Sequence, residues 1–333
     1  MFKNKSIFVT GATGSFGKAF VAHLIKNHPN FKRLVIFSRD ELKQFEMSKL
    51  KKFQHKNLRM FLGDIREKDR LESALEGIDI VIHAAALKQV PAAEYNPFEF
   101  IKTNVIGTQN LVETCIKKNV KKVVALSTDK ASSPINLYGA TKLCADKLVL
   151  SANNIKGAKK ISFSVVRYGN VMGSRGSVVP FFLDMYKNKK KLPLTHFDMT
   201  RFNISLKESI ELVEKAIKYG TGGEIFVPKL KSFYIRDLIK VITKKVNHFN
   251  IVGIRPGEKI HEELISSAEL KDTISSNDHF VVLSNSTTKE IMEYCKGKNY
   301  KKVNNDFTYN SGTNKNFLSL KELKKIVDAY SAN

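Results

Sequence analysis

The stretch Ser6-Ile-Phe-Val-Thr-Gly-Ala-Thr-Gly-Ser-Phe-Gly17 decides the fold. Residues Ser6–Thr10 are apolar or β-branched, as a short buried strand requires. Three glycines follow with the spacing GxxGxxG, and Phe16–Asn27 then carries the apolar period of an amphipathic helix. A strand, a glycine turn and a helix in this order bring backbone N–H groups to a pyrophosphate at the helix N-terminus. The spacing differs from the GxGxxG fingerprint, and such turns also serve as plain connectors. Its place at the head of an alternating series points to dinucleotide binding, with Gly11, Thr13, Gly14, Ser15, Phe16 and Gly17 in the cradle.

Working outward, Arg33–Ser38, Arg59–Gly63, Ile78–Ala84, Lys122–Ser127 and Ile161–Arg167 read as further strands, and Val105–Lys118 as a helix. Apolar strands alternating with helices predict an α/β fold, a Rossmann-type doubly wound parallel sheet. Beyond about Gly169 the pattern breaks into short elements and turns, among them Arg255-Pro-Gly-Glu-Lys259. We therefore expect a dinucleotide-binding domain over 1–168, with further segments supplied from later in the chain. A smaller, partly discontinuous substrate lobe is expected over 169–333, ending in an amphipathic helix at Leu320–Tyr330.

The 333 residues suffice for a large core, and 42% hydrophobic content fits a globular protein. No apolar run approaches the roughly 18–20 residues of a membrane helix, and the N-terminus does not read as a signal peptide. Cys115, Cys144 and Cys295 form no paired or metal-like spacing, so a cytoplasmic protein without disulfides or metal is expected. The net charge of +24 raises nucleic-acid binding. The lysines are dispersed, however, and no nucleic-acid motif accompanies them, which favours a solvated surface.

Two clusters carry chemistry. At the end of the Lys122–Ser127 strand stands Leu126-Ser-Thr-Asp-Lys130, and shortly after it Tyr138-Gly-Ala-Thr-Lys142. A Tyr and a Lys four apart share one helix face, where the ammonium can lower the phenol's pKa. Thr128 can orient, Asp129 can donate or accept a proton, and Lys130 can act as a base if desolvated. At the second strand's tip, Ser38-Arg-Asp-Glu41 offers Arg39 and Lys43 to a ribose 2′-phosphate and so favours NADP. Asp40 there would instead suit NAD, or simply charge the next helix's start. Asp64 and Ile65 sit where adenine contacts are made, and Ala84, Ala85 and Ala86 leave room for a cofactor. His83 reads as a packed strand-end residue.

These residues resemble the extended short-chain dehydrogenase/reductase family of nucleotide-sugar enzymes, and within it the inverting UDP-N-acetylglucosamine 4,6-dehydratases of pseudaminic acid biosynthesis. The resemblance rests on residues 10–18, 38–44, 83–88, 93–97, 127–131 and 136–142. It continues through Arg167-Tyr-Gly-Asn170, residues 173–182 and Ile254-Arg-Pro-Gly-Glu-Lys259. Retaining relatives carry Glu where this chain has Lys130; capsule-type inverting relatives lack the tyrosine present here as Tyr138. Ala12, Gln89 and Asn203 depart from the family pattern.

The resemblance implies C4 oxidation of UDP-N-acetylglucosamine, loss of water across C5 and C6, and return of the hydride to C6. Lys130 would be the C5 base, its pKa lowered by burial or by Lys142; Asp129 would be the acid for the C6 hydroxyl. Tyr138 and Lys142 would serve the C4 hydroxyl, and Thr128 would bind the 4-oxygen. It adds Lys88, Asn104 and Tyr168 to the cofactor or sugar contacts. Arg201 and Arg255 would grip the diphosphate, with Glu258, Asn170, Val178, Val179, Thr195 and Met199 lining the rest. A homo-oligomer, dimer or hexamer, is implied. A 4-epimerase or a retaining dehydratase of the same scaffold is the alternative.

Overall fold

In the computed structural model, residues 1–173, 177–245, 248–284, 286–304 and 306–331 are described. Six parallel strands form the heart of a ten-stranded sheet. They are β1 (Ser6–Thr10), β2 (Arg33–Ser38), β3 (Leu58–Leu62), β4 (Ile80–His83), β5 (Lys122–Thr128) and β6 (Ser162–Tyr168). Their order is β3-β2-β1-β4-β5-β6. Glu224–Pro228 adds in parallel beside β6, His279–Leu283 pairs antiparallel with it, and Thr273–Ser275 and Lys301–Lys302 complete the edge. The later chain thus returns to the first sheet three times after leaving it at Tyr168.

The central strands are buried along their whole length, which is why they read as unbroken apolar runs. Helix α1 (Ser15–Asn27) and helix α2 (Glu41–Lys49) follow β1 and β2. The order reverses between β1 and β4, and the crevice at such a reversal, beyond the carboxyl ends of the strands, is where ligands bind. Register places Thr10 beside His83 and Thr128 beside Tyr168, so four strands end along this one line.

The expected helix at Val105–Lys118 is two elements. A wide π-helical turn, Ile101–Ile106, precedes the regular helix Gly107–Lys117. Such turns mark places where a helix serves a site rather than its own ladder. Here the turn carries Asn104, whose side chain is committed to the backbone of Leu87.

A second core is built by Val179, Phe182, Leu192, Met199, Leu238 and Leu323 among others. It lies between helices Val178–Lys187, Ile235–Thr243 and Leu320–Ser331. One buried charge ties the parts together. Arg167 on β6, 1% exposed, lies 3.5 Å from Asp146 of the helix Leu137–Ile155 and 2.9 Å from Glu269. Burial alone pushes the Glu269 carboxyl up, but Arg167 and the Ser266 N–H and hydroxyl hold it below its ordinary value.

Removing one partner of a buried ion pair leaves an uncompensated charge, which costs about 3–5 kcal/mol. Arg167→Leu is expected to lower the urea unfolding free energy by that amount. Because the folded Glu269 pKa is depressed, its stabilisation holds above the unfolded value and fades as pH falls through the folded one. Arg167→Leu should therefore show a smaller loss of stability than the wild type on acidification.

Candidate active site

A cleft of about 700 Å³ opens at the reversal point, lined by the glycine turn on one side and the end of β5 on the other. Gly11, Thr13, Gly14, Ser15, Phe16 and Gly17 all face it, as do Lys43, Ala84, Ala86 and Lys88. Gly11 has φ of 63°, and a Cβ there would lie 2.8 Å from the Ala84 carbonyl and the Ala85 nitrogen. The turn and the chain leaving β4 therefore touch backbone to backbone. Thr10 fixes the second of these: its Oγ1 accepts from the N–H groups of Ala84 and Ala85, at 3.1 Å each.

His83 closes this support. Its ring bonds Thr10 Oγ1 at 2.8 Å and Thr108 Oγ1 at 3.1 Å, and burial lowers its pKa to about 3. It is a neutral packing residue, as expected. Asn104 belongs to the same scaffold: its amide donates to the Leu87 carbonyl and to Thr141, and its oxygen accepts from Leu87 N–H. It shapes the loop under the cleft rather than facing it.

The tip of β2 is mixed in role. Asp40 is the N-cap of α2, accepting from Lys43 N–H at 2.9 Å, and it also pairs with the Lys43 ammonium. Ser38 is held by Gln44. Arg39 is half-exposed and only loosely engaged, 3.5 Å from Asp64. Asp64 is bound closely by Arg66 instead, at 2.7 Å, and Ile65 is buried against Gly107. The close backbone approach at Gly11, the open N-terminus of α1 and the loosely held Arg39 fit a nicotinamide dinucleotide.

Opposite the cradle, β5 runs directly into a short turn at Asp129–Ala131, and the helix Leu137–Ile155 folds back over it. Asn136 caps that helix by accepting from Gly139 N–H at 2.8 Å. A Cβ at Gly139 would collide with the Lys130 carbonyl, so glycine lets the helix rest on the turn. Tyr138 and Lys142 are brought to the cleft with Thr128, Asp129 and Lys130. Tyr168, at the end of neighbouring β6, completes the wall, and burial raises its phenol.

The electrostatics correct one expectation. Burial pulls the Lys130 ammonium down, but Asp129 at 3.1 Å and Glu262 at 3.0 Å outweigh it and hold its pKa above the ordinary value. Lys142 is lowered by burial, partly offset by Asp146, and donates to the Leu126 carbonyl at 2.8 Å. The cation that acts on Tyr138 is Lys130: burial raises the phenol to about 12, while Lys130 and the Thr128 hydroxyl work against that. Burial also raises Asp129, with Glu262 adding and Lys130 opposing. Glu262 is itself lowered: burial is overcome by Lys130, Arg201 and Lys259.

Glu262 was not among the sequence candidates. It sits in His261-Glu-Glu-Leu264, far from Lys130 in sequence, and no spacing rule links the two. Its segment is fastened to the Asp129–Ala131 turn and the residues that follow it at three points. Lys259 Nζ donates to the Ser132 carbonyl at 2.8 Å, Asn136 donates to the Gly257 carbonyl at 2.7 Å, and Ser133 donates to Glu263 at 2.7 Å.

The substrate-lobe candidates divide. Asn170 faces the cleft and Val178 packs at the margin of the second core. Val179 and Met199 are buried inside that core, so they support the lobe instead of lining the site. Arg201 is not free for phosphate as the chain is folded. It donates to the carbonyls of Thr200 and Ile260 and lies 3.5 Å from Glu258 and 3.7 Å from Glu262. Thr195 bonds Glu258 at 3.4 Å, and Arg255 is exposed on its turn. Of residues 173–182, positions 174–176 lie outside the described residues. Among the departures from the family, Ala12 is fully buried, Gln89 lines the cleft and Asn203 Oδ1 is buried without a partner among the described residues.

Among the described residues one grouping could hold a metal ion: His23, His28 and Glu214, on the far end of α1 from the cleft. Both imidazole Nε2 atoms meet Glu214 Oε1, at 2.9 and 3.1 Å, which links α1 to the helix Leu206–Tyr219.

A dinucleotide cradle on β1 facing Thr128, Tyr138 and Lys142 beyond β5 defines the extended short-chain dehydrogenase/reductase class. Residues 7–284 match the model of the family described as polysaccharide biosynthesis protein, and the chain belongs to that family. It is 47% identical, over 98% of both chains, to a UDP-N-acetylglucosamine 4,6-dehydratase (inverting) of Campylobacter jejuni. It is 37% identical to a UDP-glucose 4-epimerase of Rickettsia massiliae, covering 98% of this chain and 97% of the other. The X-ray structure of Pen from Bacillus thuringiensis superposes over all of both chains with a TM-score of 0.89 at 38% identity.

Left-handed backbone costs a non-glycine residue about 1–2 kcal/mol. Gly11→Ala is expected to lose at least that much stability in a thermal melt. Its Cβ also presses on Ala84, so dinucleotide affinity by calorimetric titration should fall about tenfold or more, since each 1.4 kcal/mol is a factor of ten.

Proposed function

We propose that this protein is a C5-inverting UDP-N-acetylglucosamine 4,6-dehydratase using NADP in the cytoplasm, the first step towards pseudaminic acid. The observation that carries this reading is the convergence of Asp129, Lys130 and Tyr138 on one cleft beside a dinucleotide cradle. An epimerase needs only the tyrosine and its lysine. The buried acid and ammonium beside them suit an elimination.

When bound, NADP would supply a reversible hydride carrier, accepting from C4 and later giving the hydride back at C6. The chain's own residues do the rest. Tyr138 takes the C4 hydroxyl proton, with Thr128 beside the same oxygen. The resulting 4-ketone acidifies the C5 hydrogen, which Lys130 removes. Asp129, whose carboxyl burial raises, gives a proton to the departing C6 hydroxyl. Lys130 comes from a turn and Tyr138 from a helix, so they flank the sugar from two directions. Removal from one face and return on the other inverts C5. A single Glu at position 130 would act on one face.

We assign Lys88 and Asn170, which line the cleft, to the sugar, and Arg255, Glu258 and Thr195 to the diphosphate, which Arg201 would join only by giving up its contacts to Glu258 and Glu262. Arg39 and Lys43 favour NADP over NAD, because a guanidinium half-open to solvent is ready for a 2′-phosphate. Exposed Tyr95, Phe98 and Ile106 on neighbouring turns support a homo-oligomeric assembly. The likeness to Rickettsia proteins named UDP-glucose 4-epimerase keeps epimerisation as the second reading.

Incubation with UDP-N-acetylglucosamine separates them. The expected product has lost one water and is UDP-2-acetamido-2,6-dideoxy-L-arabino-hexos-4-ulose, identified by ring proton couplings. An isobaric epimer overturns the dehydratase reading, and the D-xylo isomer as first product overturns inversion alone. Lys130→Ala should lose about 10²–10⁴ in turnover with dinucleotide binding intact.

Arg39→Ala should weaken NADP about ten- to a hundredfold, the worth of a charge-assisted contact, and leave NAD nearly unchanged. Equal losses for the two nucleotides would remove Arg39 as the 2′-phosphate reader.

A further inference from the structure

Helix α1 and the helix Leu206–Tyr219 both start at the cleft, which Ser15 and Leu206 line. Further along, His23, His28 and Glu214 join the two helices. Residues 15 and 23 are eight apart, as are 206 and 214, so the junction lies about 12 Å down both helices from the cleft. That is too far for these side chains to touch a group reacting there.

The two imidazoles come to one point. His23 Nε2 is 2.9 Å and His28 Nε2 3.1 Å from the same oxygen, Glu214 Oε1. All three donor atoms lie within 4.8 Å of one another. The rings are held from behind: the Asn27 amide is 2.9 Å from His23 Nδ1, and the buried Phe2 ring packs against the His28 ring at 5.0 Å. The side chains of His23, His28 and Glu214 are 24%, 35% and 21% exposed, so the cluster is anchored yet open to water on one side.

Two observations set this cluster apart from a surface ion pair. A carboxylate oxygen only accepts, so without a cation both Nε2–H groups must donate to a single atom. The chain also has 56 Lys and Arg for 32 Asp and Glu, yet among the described residues only these two imidazoles stand within ion-pair distance of Glu214. A part-buried carboxylate in a lysine-rich protein is thus reserved for two nitrogen ligands. The spacing suits a small ion. Donors bound at about 2.0–2.2 Å in a tetrahedron lie about 3.3 Å from one another, so the two N···O contacts need open by only a few tenths of an ångström.

We propose that His23, His28 and Glu214 form a binding site for a divalent transition-metal ion of the zinc type, with water in the fourth position, and that the ion clamps α1 to the helix Leu206–Tyr219. Two imidazoles and one carboxylate suit zinc, whereas calcium and magnesium call for mainly oxygen ligands. Binding moves each ring proton from Nε2 to Nδ1. Asn27 can turn its amide oxygen to accept that of His23, the outer contact that metal-bound histidines keep. The role is structural, since α1 carries the dinucleotide cradle at its other end. The expectation of no metal rested on residue spacing, and spacing could not reveal this site: Glu214 lies 191 positions beyond His23.

The full chain, stripped with chelator and titrated with zinc chloride at neutral pH, should take up one equivalent with micromolar or tighter affinity. With free zinc a hundredfold above Kd, the melting midpoint should rise by about 4 °C. His28→Gln and Glu214→Gln keep a hydrogen-bonding side chain but offer a poorer ligand. Each should weaken zinc by about a hundredfold or more, because loss of even an outer contact costs about 10–100-fold. Asn27→Ala should weaken it by about tenfold. Zinc-edge X-ray absorption of the wild type at one equivalent should show two imidazoles and oxygen ligands at about 2.0–2.2 Å. No uptake at micromolar zinc, or unchanged affinity in either ligand variant, overturns the site. So does a sulfur ligand, which would place the ion on Cys144 or Cys295 instead. The absorption measurement needs no substitution, so it decides the matter even if a variant fails to fold.

Discussion

The site depends on one buried ammonium shared by two carboxylates. Burial by itself lowers the Lys130 ammonium and raises the carboxyls of Asp129 and Glu262. Together they offset one another: both carboxylates hold the Lys130 ammonium above its ordinary value, and Lys130 opposes the rise of Asp129 and helps bring Glu262 below its own. The local fold serves that arrangement. The helix that follows is allowed close by the missing side chain at Gly139, and residues 257–263 are fastened to the same turn by Lys259, Asn136 and Ser133. Geometry of this kind holds reacting groups in place before substrate arrives, which is where orientation lowers a barrier.

The cofactor side obeys a different constraint, that of backbone approach. Gly11 meets the Ala84 carbonyl directly, and Thr10 and His83 take up the polar groups that such closeness would leave unsatisfied. Asn104 does the same for Leu87, at the cost of a regular helical turn. Charge dominates one wall of the cleft and close packing the other.

Local signals were legible in the sequence. The strands of the parallel sheet fall within two residues of their expected ends, because buried strands are written as uninterrupted apolar runs. The glycine turn, Asp129, Lys130, Tyr138 and Lys142 were legible because each sits at a fixed offset from a strand end or helix start. Glu262 was not, since its meeting with Lys130 depends on how a distant loop docks. The protonation of Lys130 was misread for the same reason: its partner could not be seen. Val179 and Met199 were assigned to the site by resemblance, but an apolar side chain near a cleft is drawn into whatever core lies behind it. Asp40 was read as suiting NAD or charging the next helix's start; the fold makes it that helix's N-cap, where an acid satisfies a free N–H group.

The docking of residues 257–263 on the Asp129–Ala131 turn and its flank has an evolutionary side. The ammonium is encoded with the strand that carries it, but half of its counter-charge is encoded more than a hundred positions later. Recombination between relatives that exchanged only the later region would leave every residue of the Thr-Asp-Lys and Tyr-Lys motifs untouched, yet replace the group that balances them. Descent of this chemistry is therefore a matter of two stretches inherited as a pair, and motif comparison confined to the first would overlook the change.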